Sequence, residues 1–250
     1  MSDWLSSPLQ IALSAMVPVA MALLLFTVES RGPLAPAIQA SKGVVAPYFS
    51  SVAIVFGLFA ALLANDAWQK DGTARYTVQA EADSVHLIAQ LARAGGIETV
   101  VLPKLKAYVD AASAEDPYSA SIGASRGKTG KAYQELLASL TQTSGVDATT
   151  RTAMLGGARD LLRAHDDRLY LANDITAPIK WLSILVFGGI TQIALLLVHV
   201  GNRRALRIAV SLFTVAFSFC LVVVAIFDSP FETILSDEPG ATLGLVLKSL

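Results

Sequence analysis

Residues 47–94 read PYFSSVAIVFGLFAALLANDAWQKDGTARYTVQAEADSVHLIAQLARA. Pro47–Ala64, at the head of this stretch, contains no Asp, Glu, Lys or Arg. A helix that crosses a bilayer needs about 20 mostly apolar residues. Lipid offers the backbone no hydrogen-bond partner, so such a run folds as a helix. Beyond Ala64 the composition turns polar, yet Gly72 is the only helix breaker before Gly95-Gly96. Ala82, Val85, Ala89 and Ala92 recur at helical spacing in this polar part. One helix is therefore expected to leave the membrane and run on into water. The 30 residues from Asn65 to Ala94 would add about 45 Å at 1.5 Å per residue.

Three further runs have the same character. Gln10–Val28, Trp181–Val200 and Ile208–Phe227 also lack Asp, Glu, Lys and Arg. Gln10–Val28 is preceded by no Lys or Arg and is longer than a signal-peptide core, so it is expected to be a retained span. The whole chain of 250 residues agrees: 54% of it is hydrophobic and 16% charged, against about 25% charged in a soluble domain. The expected fold is an all-α membrane protein, with four transmembrane helices and a helical aqueous insertion between spans two and three. The boundaries read as 1–64 for spans one and two, 65–180 for the aqueous domain, 181–227 for spans three and four, and 228–250 for a C-terminal tail.

Within the insertion, Ala80–Arg93 is one helix and Pro103 suits the first turn of the next. Ala112–Gly130 reads as loop and Lys131–Leu140 as a short helix. In Asp147–Asp174, Leu155, Leu162, Leu169 and Ala172 repeat near the heptad period. That helix is expected to continue into span three with a bend near Pro178.

Composition and motifs exclude several functions. Nineteen basic and twenty acidic residues leave a net charge of -1, with no excess to neutralise nucleic-acid phosphates. The lone Cys220 permits no disulfide framework. Phosphate-binding glycine loops, HExxH and GxSxG are all absent, and no polar cluster lies at membrane depth, so an enzyme is not expected. No metal or cofactor is called for. His86, His165 and His199 read as helix-surface or interfacial residues, although Asp166-Asp167 after His165 gives it a faint metal-ligand pattern. Gln192, midway along span three, suits an interhelical hydrogen bond.

Trp68, Ala74-Arg75 and Glu81-Ala82 follow span two at a characteristic spacing. Leu102-Pro103 with Tyr108, Arg168-Leu169, Pro178 with Trp181, and Asp228-Ser229-Pro230-Phe231 continue the pattern. Together they resemble the bestrophin-like domain family of bacterial membrane proteins, which resembles the bestrophin anion channels. The resemblance implies a homo-oligomer, the bestrophins being pentamers, that passes small anions through a pore lined by span two. It places an apolar neck within Ile54–Leu63, with Ile54, Phe56, Phe59 and Leu63 as candidates. Asp66, Lys70 and Arg75 are the candidate charges at the pore mouth. It also puts residues 65–180 in the cytoplasm at a bacterial inner membrane, whereas Arg203, Arg204 and Arg207 in the short 201–207 turn point the other way. Only Glu232, Asp237 and Glu238 follow Phe231, and such scattered carboxylates read as a solvated tail rather than as a calcium site, which needs six to eight oxygen ligands. The alternative to a channel is a non-conducting membrane sensor or scaffold whose helical domain binds a ligand or partner protein.

Overall fold

The computed structural model describes residues 7–31, 35–40, 46–115, 127–142, 145–174 and 178–249. These form α1 (Ser7–Arg31), α2 (Ala35–Ala40), α3 (Ala46–Ala94), α4 (Glu98–Ser113), α5 (Lys128–Gln142), α6 (Ala148–Asn173), α7 (Pro178–Val198), α8 (Arg203–Asp228), α9 (Pro230–Thr233) and α10 (Gly240–Ser249). No strand occurs among the described residues. Four helices, α1, α3, α7 and α8, are long and apolar enough to cross a membrane.

The second apolar run and the polar helix after it are one uninterrupted α3 of 49 residues, about 74 Å long at 1.5 Å per residue. It passes through Gly72 without a break and ends at Gly95-Gly96, where Gly96 takes a φ of 68° that favours glycine. Span three is not continuous with the helix before it. Asp174 leaves the helical region at φ -81° and ψ 92°, and α7 begins at Pro178, which disfavours a helical residue ahead of it. Pro103 lies inside α4 rather than in its first turn, because the helix starts at Glu98, whose acid suits the positive helix end. Of the expected 112–130 loop, residues 116–126 lie outside the described residues, while its first two residues end α4 and its last three begin α5.

The chain divides into two compact units, 1–69 with 176–229, and 70–175 with 230–250. In the first unit, Leu63 and Ala67 of α3 pack with Ile184 of α7 and with Phe217, Leu221 and Val224 of α8. Ala22, Leu195, Leu196, Leu206 and Val210 form a second cluster of α1, α7 and α8. Gln192 is buried and donates to Thr214 Oγ1 at 2.9 Å and to the Pro18 carbonyl at 3.1 Å, so it joins three helices by hydrogen bonds.

In the second unit, Val85, Ile88 and Ala92 of α3 meet Val101, Leu105 and Val109 of α4, Leu136 and Leu140 of α5, and Met154 and Leu161 of α6. Gly157 lets α6 approach α3, since a Cβ there would lie 3.1 Å from Ile88. The segment after span four is not a free tail. Leu243 of α10 completes that core, and Phe231 and Leu235 pack with Ala74, Val78 and Ala172.

Among the described glycines the tightest site is Gly188, where a Cβ would sit 2.1 Å from the Phe217 ring. That ring is fully buried and held edge-on by Phe56, with centroids 5.2 Å apart, so it has nowhere to go. Gly188→Ala should therefore cost about 1–3 kcal/mol through overpacking, read as a lower melting temperature of the purified protein. Gly57→Ala, with nothing within 4 Å of the new carbon, should melt as wild type does.

Candidate functional site

Two features carry potential chemistry. One is the uncovered face of α3; the other is a polar cluster inside the second unit.

In the first unit α3 has two distinct faces. Phe56 meets Phe213 and Phe217 edge-on, each at 5.2 Å, and Leu63 is buried. On the opposite side, Ile54 is 71% exposed, Leu58 58% and Leu62 59%, at the i, i+4, i+8 spacing of one helix face. Phe59 lies at the edge of that face, 37% exposed and stacked on Phe187 at 4.5 Å. Of the four candidate spans, α3 is the least covered by its own chain: 6% of its apolar window is buried, against 39% for α7. Past Leu62 the exposed positions become mixed: Asn65 and Gln69, and in the second unit Gln79, Asp83, His86 and Gln90, are polar, while Trp68, Tyr76 and Leu87 are also exposed.

The candidate charges are engaged. Asp66 pairs with Lys180, Arg75 Nε meets Asp71 at 3.0 Å, and Lys70 donates to the Asp174 carbonyl. Trp68 is exposed, Ala74 is buried in the second unit, and Trp181 packs at the edge of the α3–α7–α8 cluster. Pro178 starts α7, and Pro230 and Phe231 are buried in α9. Asp228 is buried at the end of α8 and accepts from Gln10 Nε2 at 3.3 Å.

The polar cluster centres on Glu81. Along α3 the buried face of the second unit runs Ala74, Val78, Glu81-Ala82, Val85, Ile88-Ala89 and Ala92, so the acid occupies an apolar position. Its Oε1 accepts from Tyr108 of α4 at 2.8 Å and its Oε2 from Arg168 Nε of α6 at 2.9 Å. His165 Nδ1 lies 3.3 Å from Oε1 and 3.1 Å from Arg168 Nη2. Its other nitrogen, Nε2, is 3.2 Å from Glu115 Oε2, just beyond α4. Glu81, Tyr108 and Arg168 are fully buried and His165 is 2% exposed. His165 is thus an interior residue, not a helix-surface one, and among the described residues no group of side chains is arranged to hold a metal. His86, by contrast, is exposed and bonds Gln90 at 2.8 Å.

Burial alone would raise the Glu81 carboxyl, but Arg168 and the His165 contact outweigh it and bring it from 4.5 to about 2. Burial, and then the negative charge of Glu81, push the Tyr108 hydroxyl well above its usual 10, so it stays a neutral donor. Sequence reasoning marked Glu81, Tyr108 and Arg168 as motif residues but missed that they converge on one cluster with His165. Its signal was a histidine and an arginine, His165 and Arg168, standing where an apolar stripe through Met154, Ala158, Leu161 and Ala172 should continue.

These features define an all-α membrane protein with four candidate spans and a helical unit built partly from the second span's own helix. The sequence profile of the Bestrophin-like domain matches residues 16–238, and the chain belongs to that family. A crystal structure of a bacterial bestrophin homologue from Klebsiella pneumoniae, carrying a tryptophan-to-alanine substitution, is 16% identical and matches with a TM-score of 0.70 over 97% of this chain and 96% of that one. Another crystal structure of a homologue from the same organism is 14% identical, with a TM-score of 0.66 over 96% and 95%. A third crystal structure, of a membrane protein bearing a proline-to-alanine substitution, is 14% identical, with a TM-score of 0.70 over 96% of each chain. These likenesses establish the fold. A search of the curated proteins returns no match.

Breaking a buried pair by removing one partner costs about 3–5 kcal/mol. Arg168→Met should therefore destabilise far more than Arg159→Met, whose side chain is 80% exposed. The Glu81→Leu/Arg168→Met double variant should lose less than Arg168→Met alone. Because the folded Glu81 carboxyl sits near 2, below its ordinary 4.5, its contribution is complete above 4.5 and is lost as pH falls towards 2. Acid melting curves of wild type and Glu81→Gln check that sign: the wild type should lose the larger share of its stability across this interval.

Proposed function

We propose that the chain is a homo-oligomeric channel, a pentamer by analogy with the bestrophins, that conducts small anions along the uncovered face of α3. The observation that carries this is the stripe Ile54, Leu58 and Leu62, which α3 turns away from every other helix of its own unit. Lipid alone would require only that such a face be apolar. This one is the least covered of the four spans and turns polar at Asn65 within the same uninterrupted helix, as a face does that leads from a dry neck to water. Repeated about a symmetry axis, Ile54, Leu58 and Leu62 make apolar rings, with Phe59 at their margin. Phe56 and Leu63 back the neck by fixing α3 to α8 and α7.

Two features favour anions. The acid nearest the apolar stripe, Asp66, is neutralised by Lys180. Amide donors on Asn65 and Gln69, with Lys70 further on, provide hydrogen bonds and a positive charge, while Arg75 is balanced by Asp71. By analogy with the bestrophins, we assign residues 65–180 to the cytoplasm at a bacterial inner membrane. A reporter fused after Leu250 reads that orientation, since both termini and the insertion share one side of a chain with four spans.

Chloride flux from liposomes tests conduction. Leu58→Ala and Ile54→Ala should raise flux several-fold by widening the apolar constriction, whereas Phe56→Ala should act mainly by loosening α3 from α8 and lower the melting temperature. No flux from any variant, with the protein shown to be folded and inserted, would leave a non-conducting sensor or scaffold.

A further inference from the structure

His165 stands between two carboxylates, with Glu81 Oε1 at 3.3 Å from Nδ1 and Glu115 Oε2 at 3.2 Å from Nε2. The same Nδ1 also lies 3.1 Å from Arg168 Nη2. A guanidinium nitrogen only donates and a carboxylate oxygen only accepts, so Nδ1 cannot satisfy both at once. With a proton on Nδ1 the ring donates to Glu81. Without it, Nδ1 accepts from Arg168 and turns its lone pair on the Glu81 carboxylate. The ring has a partner for Nδ1 in each protonation state, while Nε2 stays within 3.2 Å of the Glu115 carboxylate, a charge contact rather than a hydrogen bond.

The charges around the ring come from every helix packed on it. Glu81 faces it from α3, Arg168 from α6 itself, and Glu115 from beyond the end of α4. Tyr108 of α4 lies edge-on at 6.2 Å, with Tyr133 of α5 behind it at 6.4 Å. With a neutral ring, Glu81, Glu115 and Arg168 leave one negative charge uncompensated; with an imidazolium, the set is neutral. Glu115 also gives the site an opening. It lines a cavity of about 320 Å³ together with Glu232, Asp237 and Glu238, the carboxylates contributed by the segment after span four.

We infer that His165 is a buried proton-binding site, reached from this cavity through Glu115, which exchanges Arg168 for Glu81 at Nδ1 on protonation and so alters the hold of α6 on α3. Histidine is the side chain whose charge ordinarily changes within the physiological range, which suits it to such a role. That this exchange regulates flux rests on the channel reading, because α3 is also the helix that carries the proposed pore face. The proton site itself does not depend on conduction.

The test is backbone amide hydrogen exchange of the full-length protein in lipid nanodiscs at both ends of the range from about pH 8 to about pH 5, corrected for the intrinsic pH dependence of exchange. Peptides covering residues 78–92 of α3 should change protection by about threefold or more across that range in the wild type. His165→Gln should abolish the change, and His86→Gln, at an exposed position of the same helix, should leave it intact. Glu115→Gln, whose parent side chain is 13% exposed, keeps the ring and removes only the negative charge beside Nε2, and should at least halve the change. It decides the matter if His165→Gln does not fold. No change in the wild type, or a full change surviving in both His165→Gln and Glu115→Gln, would overturn the proposal. Chloride flux measured alongside should lose its pH dependence in His165→Gln. A proton response in α3 with no flux from any protein would retain the site and remove the channel.

Discussion

One buried carboxylate, Glu81, organises the second unit. An ionised acid taken out of water is tolerated only when its partners are placed to meet it. Here Tyr108 and Arg168 donate to its two oxygens from two other helices. Each of the three helices sacrifices a position in its apolar stripe to supply the network: Glu81 in α3, Tyr108 in α4, and His165 with Arg168 in α6. A one-residue slip of any helix would leave a charge without its partner. Apolar stripes alone tolerate such slips; this network does not, and it therefore specifies the register in which α3, α4 and α6 pack.

The same α3 meets a different constraint in the first unit. Nothing charged can be afforded between Pro47 and Ala64, and nothing charged is present. Packing there rests on shape: Phe56 against Phe213 and Phe217, Gly188 beneath the Phe217 ring, and Gln192 bridging to Thr214 and Pro18. A single helix thus obeys the rules of lipid along one part of its length and those of water along the other. Its uncovered side changes from Ile54, Leu58 and Leu62 to Asn65 and Gln69 at that transition.

Much of this was legible in the residues. Charge-free runs announce spans directly, and the lack of any breaker but Gly72 between Ala64 and Ala94 announced the length of α3. The break at Asp174 was less visible, because the apolar period runs almost to Pro178 and only the backbone preference before proline argues for a stop. In the Leu155, Leu162, Leu169 and Ala172 repeat, the last two are buried, but Leu155 and Leu162 lie on the flank of α6 rather than on its core-facing side. The true stripe carries His165 and Arg168, and a hydrophobicity pattern discounts it for the very residues that make it important. Which side of α3 is uncovered was not legible either. Through Ile54–Leu63 every position is apolar or glycine, so composition does not distinguish Phe56, which faces α8, from Leu58, which faces away.

That distinction is the central claim, and cysteine accessibility measures it most directly. In a Cys220→Ser background, single cysteines at successive positions from Ile54 to Leu63 would be exposed to a charged, membrane-impermeant thiol reagent in the assembled protein. A water-bearing pore predicts modification that peaks at Ile54, Leu58 and Leu62 with a helical period, and protection at Phe56 and Leu63. Protection at all of these positions, as for a face turned to lipid, would contradict it.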